Sequence, residues 1–414
     1  MSITPPFVQE RLDNGLTVLI EVMPHVSSAA CGFLVRTGAR DDPRELAGVS
    51  HFLEHMMFKG TAERTWEQVN VEFDEMGSYY NAYTSKDRTF YYGWVQTSDL
   101  DRQLDLLADM MRSTLPADQF DLEKNVVLEE IAMAKDDLAS VAYDFLHERV
   151  YADSSLAWPV LGYEQTIREM TREKMGEYFA RRYAPNNLIL LVAGNVEPAR
   201  VLATAERVCG GWPPVDELGP ARQVPRLAAG TATRAADRFH QQAVLLAFPS
   251  VAATHELYET AEATAAILGG ENSRFYWNIV QEGLATRAGV FHEEYQDFGL
   301  TVMFGLCEPQ NCEKLLETMR TEATVLAAKG AEDKELRRVK NLRRTSLANE
   351  SEAPFYRLGQ LADDVDYHGR PRRAEDRLAA VDAVTADRIA AYLRDCPITD
   401  GGCLVSVGPR AWPG

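Results

Sequence analysis

The chain has 414 residues, 46% of them hydrophobic, which is more than one compact core of ordinary size holds, so a folded protein of two domains is expected. Its 62 acidic and 43 basic residues leave a formal charge of -19, and no block of Lys and Arg stands out that could follow a phosphate backbone, so nucleic acid is not expected as a partner. No run of about 18 apolar residues could span a bilayer and Met1 to Phe7 carry no signal-peptide pattern, so the expected location is the cytoplasm, or an organelle matrix after loss of a targeting peptide.

In chain order, Val8 to Leu12 and Leu16 to Ile20 flank the turn residues Asp13, Asn14 and Gly15, which predicts a hairpin. A strand at Ala29 to Thr37 follows, then helical periodicity from about Glu45 to Phe58 and again after Thr65, where Thr65 and Gln68 have capping-box spacing and Gly77 supplies a stop. Two strands are expected near Ser78 to Thr84 and Arg88 to Val95, helices from Leu100 to about Tyr151, and a strand at Leu188 to Ala193. Prolines 213, 214, 220 and 225 gather where the pattern weakens, as in an exposed connection. The order then begins again with a strand at Gln241 to Phe248, a helix at Leu257 to Leu268, strands near Ala288 to Tyr295 and Leu300 to Leu306, and long helices through Asn349. The expected fold class is α+β, built from two homologous domains: residues 1–212, a linker at 213–232, and residues 233–414. The six cysteines include no CxxC pair and read as packing thiols of a reducing compartment.

The segment His51-Phe52-Leu53-Glu54-His55 falls in a helical stretch, so the two imidazoles and the Glu54 carboxylate project from one face. Neutral imidazoles bind zinc, and a carboxylate that does not bind it can take the proton from an attacking water. By chance such a motif arises in roughly one chain in a hundred, so a third ligand is needed to give it meaning. Glu123, Glu129 and Glu130 lie on a helix starting near Ala117. Glu123 and Glu130, two turns apart, share a face, while Glu129 is rotated off it by about 100°. Glu130 is the expected ligand and Glu123 an outer carboxylate. A charged helix is usually only a solvated face; the preceding His-x-x-Glu-His tips the balance. The remaining histidines, His25, His147, His240, His255, His292 and His368, have no partner at ligand spacing and receive no role.

That motif order resembles the inverzincin zinc metallopeptidases of the pitrilysin and mitochondrial processing peptidase family, as do Gly48 to Thr61 almost throughout and Val126-Val127-Leu128-Glu129-Glu130-Ile131. The resemblance implies one zinc ion per chain held by His51, His55 and Glu130, with Glu54 as catalytic base and Glu123 assisting catalysis. It also implies mostly antiparallel sheets packed with helices, forming half of a clamshell chamber. Gly77 to Thr84 resembles the family's strand that pairs with an extended peptide, which makes Asn81, Ala82 and Tyr83, with Phe58 nearby, the expected substrate-binding residues. Complete members carry an arginine ahead of the Gly283-Leu284-Ala285 segment and a tyrosine after it, where this chain has Val280 and Thr286; Arg274, Tyr276 or Arg287 are the residues that could compensate. The implied assembly is a heterodimer in which a homologous subunit without zinc supplies the Arg/Tyr pair, in preference to a homodimer. Asp144 stands where processing peptidases read substrate arginine, but Ser140 replaces the neighbouring acid. The expected function is zinc-dependent cleavage of short or unstructured peptides; the alternative is a non-catalytic structural subunit of a larger complex.

Overall fold

The structure is a computed structural model in which residues 7–413 are described. The hairpin forms from β1 (Phe7–Arg11) and β2 (Thr17–Val22), with Gly15 at φ 90° in its turn, and β3 (Ser28–Val35) follows. The helix expected from about Glu45 starts only at Val49, after two short 3-10 turns. The reason is Gly48, whose φ of 94° breaks the right-handed path before α1 (Val49–Met57). Ahead of α2 (Trp66–Glu75) the reciprocal cap between Thr65 and Gln68 is present, with bonds of 2.8 and 3.4 Å. Then come β4 (Tyr79–Thr84), β5 (Thr89–Gln96), α3 (Leu100–Met110), α4 (Ala117–Asp136) and α5 (Leu138–Val150). The first half closes with α6 (Glu164–Glu169), α7 (Arg172–Arg182), β6 (Leu188–Gly194) and α8 (Pro198–Cys209).

The second half opens with β7 (Gly230–Ala235), β8 (Gln242–Ser250), α9 (Tyr258–Gly269), β9 (Arg287–Glu294) and β10 (Gly299–Cys307). It continues through α10 (Cys312–Lys329), α11 (Asp333–Glu352), α12 (Pro354–His368), α13 (Ala374–Asp382) and α14 (Ala386–Asp395) to β11 (Cys403–Gly408). Apart from α2, the order β8, α9, β9, β10, α10, α11 repeats β3, α1, β4, β5, α3, α4, as a duplicated domain does.

The first compact unit comprises residues up to Ile131, Trp158–Gln223 and Asn349–Pro371; the second comprises Ala132–Ala157, Val224–Ala348 and the residues from Arg372 onward. Each is built on one mixed sheet. The first has the order β1-β2-β6-β3-β5-β4, antiparallel except between β2 and β6; the second has β7-β11-β8-β10-β9, antiparallel except between β7 and β11. One face of the first sheet buries Phe33 against Phe52 of α1 and Leu107 and Met110 of α3. Its other face, through Leu19, Leu34 and Leu191, is covered by Leu358, Leu361 and Val365 of α12, a helix from the far half of the chain. Burial of each such side chain stabilises by about 1.5–3 kcal/mol, and the buried Arg357 guanidinium adds an ion pair to Glu21 at 2.8 Å. In the second unit α5 covers β8 and β11 in the same way. The compact units are therefore interleaved along the sequence, and the 213–232 segment is divided between them at Gln223 and Val224.

All six cysteines are free and five are buried. Among the described residues no helix is long and apolar enough to cross a membrane.

Candidate metal centre

The start of α1 is fixed by its surroundings. Asp42 accepts hydrogen bonds from the Gly48 N–H (2.9 Å), the Ser50 hydroxyl (2.6 Å) and the Tyr178 hydroxyl (3.0 Å). A Cβ at position 48 would stand 2.6 Å from the Leu161 carbonyl oxygen, so glycine is required there for space as well as for φ. From that start Phe52, Leu53, Met56 and Met57 go fully into the core. His51, Glu54 and His55, at helical spacing, are left half-buried on the opposite side.

On α4, Phe120, Glu123, Val127 and Ile131 are buried and Glu129 is exposed, so the neighbouring Glu130 turns toward α1. His51 Nε2 and His55 Nε2 each stand 3.6 Å from Glu130 Oε2. That is too long for a hydrogen bond and close to the separation of roughly 3.3 Å that two ligand atoms have when each sits at zinc distance in a tetrahedron. Glu130 Oε2 and His51 Nδ1 are buried and have no hydrogen-bond partner among the described residues. Burial, with the nearby His55, pushes the His51 pKa down to about 3, so its imidazole stays neutral with a lone pair to offer. Two neutral-capable imidazoles and a carboxylate with an unsatisfied oxygen are the donor set of a zinc site with one position left for water, and the residues present fit that ion.

A second row of side chains holds the first. His55 Nδ1 lies 3.1 Å from Glu123 Oε2, and Lys59 Nζ is 2.7 Å from Glu123 Oε1. The contact from Nδ1 to a carboxylate leaves Nε2 as the nitrogen that faces Glu130. Burial opposes charge on His55, but the bond to Glu123 and the negative charges of Glu130 and Glu54 outweigh it and raise its pKa. For Glu123 burial favours the neutral form, yet the bonds from His55 and Lys59 hold its pKa below the usual carboxylate range. Glu54 differs. Burial raises its pKa against the opposing Thr84 hydroxyl, which donates to Glu54 Oε2 at 2.6 Å.

The strand that donates Thr84 is the edge of its sheet. β4 pairs with β5 alone. The Ser85 N–H bonds to the Arg88 carbonyl at 2.8 Å, which makes 85 and 88 a hydrogen-bonded pair of this antiparallel hairpin. Pairing alternates, so Ala82 and Thr84, opposite Tyr91 and Thr89, direct their N–H and C=O groups to the open side. The Ala82 N–H is taken there by Asn81 Oδ1 at 2.9 Å. Asn81 and Tyr83 are exposed and Ala82 is buried. Phe58 caps α1 with its half-buried ring against Tyr80 and Tyr91, centroids 6.0 and 6.3 Å away.

Residues 17–164 match the family described as insulinase (peptidase family M16), and residues 169–343 match the peptidase M16 inactive domain. A protein named a zinc protease in Rickettsia felis is 31% identical over 383 residues, covering 92% of both chains. The chain belongs to peptidase family M16. A Bacillus subtilis protein named a zinc protease is 29% identical over 400 residues, 96% of this chain and 97% of that one. In fold, the crystal structure of a protease from Helicobacter pylori superposes with a TM-score of 0.90 at 22% identity, over 98% of this chain and 100% of that one.

Of the residues expected from sequence, the structure gathers His51, His55, Glu130, Glu123 and Glu54, and sets Asn81, Ala82 and Tyr83 on the adjoining edge strand. Of the residues considered as compensation, Arg274 is paired with Glu335 at 2.8 Å, the Tyr276 hydroxyl accepts from Gln281 at 2.6 Å, and Arg287 is exposed at the start of β9. Sequence reasoning missed three supports. Lys59 sat inside the quoted motif without a partner to give it meaning. Thr84 ended the predicted strand with no signal that its hydroxyl meets Glu54. Asp42 lies seven residues ahead of the helix it holds, a separation to which no periodicity points.

Proposed function

We propose that this M16 chain is a zinc-dependent endopeptidase of short or unstructured peptides and the catalytic subunit of a two-chain enzyme. The observation that carries the reading is the convergence of His51 Nε2, His55 Nε2 and Glu130 Oε2, with the Glu54 carboxylate beside them. When bound, zinc supplies Lewis acidity, polarising the peptide carbonyl and making water a better nucleophile. Glu54 takes the proton of the attacking water and passes it to the leaving amine; burial has moved its pKa toward the range in which one group can do both. Thr84 keeps Glu54 in place, and Glu123, held by Lys59, orients His55 as a positioning residue. The outward N–H and C=O groups of Ala82 and Thr84 suit an extended peptide added as a further strand, with Asn81, Tyr83 and Phe58 lining it. Backbone pairing of this kind reads little of the substrate's sequence.

Val280 and Thr286 stand where the resemblance places an arginine and a tyrosine, so a homologous subunit without zinc provides that pair in a heterodimer. The free thiols suit a reducing compartment, and we place the enzyme in the cytoplasm. The second reading, a structural subunit without activity, draws on the inactive-domain match over residues 169–343. Hydrolysis of a mixed set of quenched fluorescent peptides, by the zinc-loaded chain alone and with chelator, tests the proposal. Chelator-sensitive cleavage establishes the peptidase and removes the need for a partner. A folded, zinc-bound chain that stays silent supports a missing subunit, and silence in the presence of every homologous subunit from the same cell leaves the structural reading.

A further inference from the structure

Spacing in the sequence leaves His292 without a partner, but the fold brings two carboxylates to it. In the second unit α9 presents Glu262 and β9 presents His292 and Glu294, with one ligand atom of each lying within 4.8 Å of the others. The His292 side chain is fully buried, Glu262 is 35% exposed and Glu294 is half-buried. His292 Nε2 stands 3.0 Å from the Val251 carbonyl oxygen. A carbonyl only accepts, so Nε2 carries the proton and donates it. Nδ1 then faces Glu262 Oε1 at 3.3 Å, and a lone pair against a carboxylate oxygen at that distance repels unless a proton or a cation lies between them.

Two further features favour the cation. An imidazole whose far N–H is tied to a backbone carbonyl has the tautomer and orientation that proteins impose on a metal-ligating histidine. Gly299 makes that tie possible, since a Cβ there would come within 2.8 Å of His292 Nε2 and 2.2 Å of the Val251 oxygen. In element order, α9 and β9 are also the counterparts of α1 and β4, whose corner carries Glu54 and Thr84 in the first unit.

We propose that Glu262, His292 and Glu294 form a second divalent-metal site that fastens α9 to β9, in addition to the single ion expected at His51, His55 and Glu130. One imidazole nitrogen with two carboxylates selects a first-row transition ion over calcium, which takes oxygen ligands alone. Zinc is the probe.

The purified full chain is stripped with chelator, equilibrated in buffered zinc and assayed for bound metal, with circular dichroism to follow the fold. The expected counts are two ions in the wild type, one in His51→Ala/His55→Ala, one in Glu262→Gln/Glu294→Gln and none in the combined variant. Zinc is further expected to raise the thermal midpoint of His51→Ala/His55→Ala and to leave that of the combined variant unchanged. Gly299→Ala, which removes no ligand but crowds His292 Nε2 and the Val251 carbonyl, should lose the second ion as well. A wild type holding one ion that disappears in His51→Ala/His55→Ala overturns the proposal and makes His292 a protonated partner of Glu262. An ion in His51→Ala/His55→Ala that survives both the carboxylate changes and Gly299→Ala overturns it equally, because the metal then sits elsewhere.

Discussion

Replacing Glu123 by Gln probes how the proposed zinc site at His51, His55 and Glu130 is held from behind. The Glu123 carboxylate, 9% exposed, contacts His55 Nδ1 at 3.1 Å and Lys59 Nζ at 2.7 Å. Gln leaves one oxygen for these two donors and removes the charge that serves both. A hydrogen bond to a charged group is worth about 1.5–3 kcal/mol, and losing such an outer partner lowers metal affinity roughly 10- to 100-fold, which corresponds to about 1.4–2.7 kcal/mol. Two effects lie within that figure. The His55 ring is no longer oriented, and Lys59 becomes an uncompensated positive charge beside the bound ion. Glu123→Gln/Lys59→Met removes the second effect while keeping the first, so it should recover part of the loss. The assay is competition for zinc against a chromophoric chelator, with Glu129→Gln as the exposed control one residue from the proposed ligand. Affinity unchanged in Glu123→Gln, or reduced as much in Glu129→Gln, refutes the reading that Glu123 acts through His55.

Glu54→Gln should keep its zinc while kcat falls by roughly 10²- to 10⁴-fold; a variant that cleaves normally removes Glu54 from the role of base. Ala82→Pro deletes an N–H that points away from β5, which an edge strand tolerates. Its thermal midpoint should stay near that of the wild type while kcat/KM for extended peptides drops, and unchanged cleavage would dismiss β4 as the substrate strand. Burial pushes the Asp42 pKa up to about 7, opposed by the bonds from Ser50, Tyr178 and Gly48. The folded form is then the better proton binder, so the stability linked to Asp42 is complete below its unfolded pKa of about 3.9 and is lost as pH rises through about 7, an upper bound of about 4 kcal/mol. Urea denaturation of wild type and Asp42→Asn from about pH 4 to about pH 8 should show the wild type losing ground as pH rises; a constant gap between the two argues that Asp42 does not titrate in this window.

Local chemistry made much of this protein legible in one dimension. Gly15 in its turn, the Thr65 and Gln68 cap and the stop at Gly77 act over a few residues, and each is where its residue types required. The helical spacing of His51, Glu54 and His55 was equally local, and the seven-residue step from Glu123 to Glu130 selected two side chains that meet α1, against the exposed Glu129 between them. The start of α1 is set by a local conformation instead: Gly48 at φ 94° delays its first turn to Val49, and apolar periodicity carries no mark of a left-handed residue.

The sequence by itself determined most strands and helices up to Asn349, the repeated order and the face of α1 that carries His51, Glu54 and His55, because each depends on the period of a helix or strand and on turn residues; the elements beyond Asn349, α12 among them, were not expected from it. Only the tertiary structure decided which helix covers which sheet. Leu358, Leu361 and Val365 of α12 close the face of a sheet whose first three strands begin more than three hundred residues earlier, and α5 serves the other sheet. An amphipathic helix shows that it needs an apolar surface but not which one, since burial is non-directional. The same holds for the pairing of Thr84 with Glu54 and of His292 with Glu262, where side chains 30 residues apart meet because a strand edge lies beside a helix.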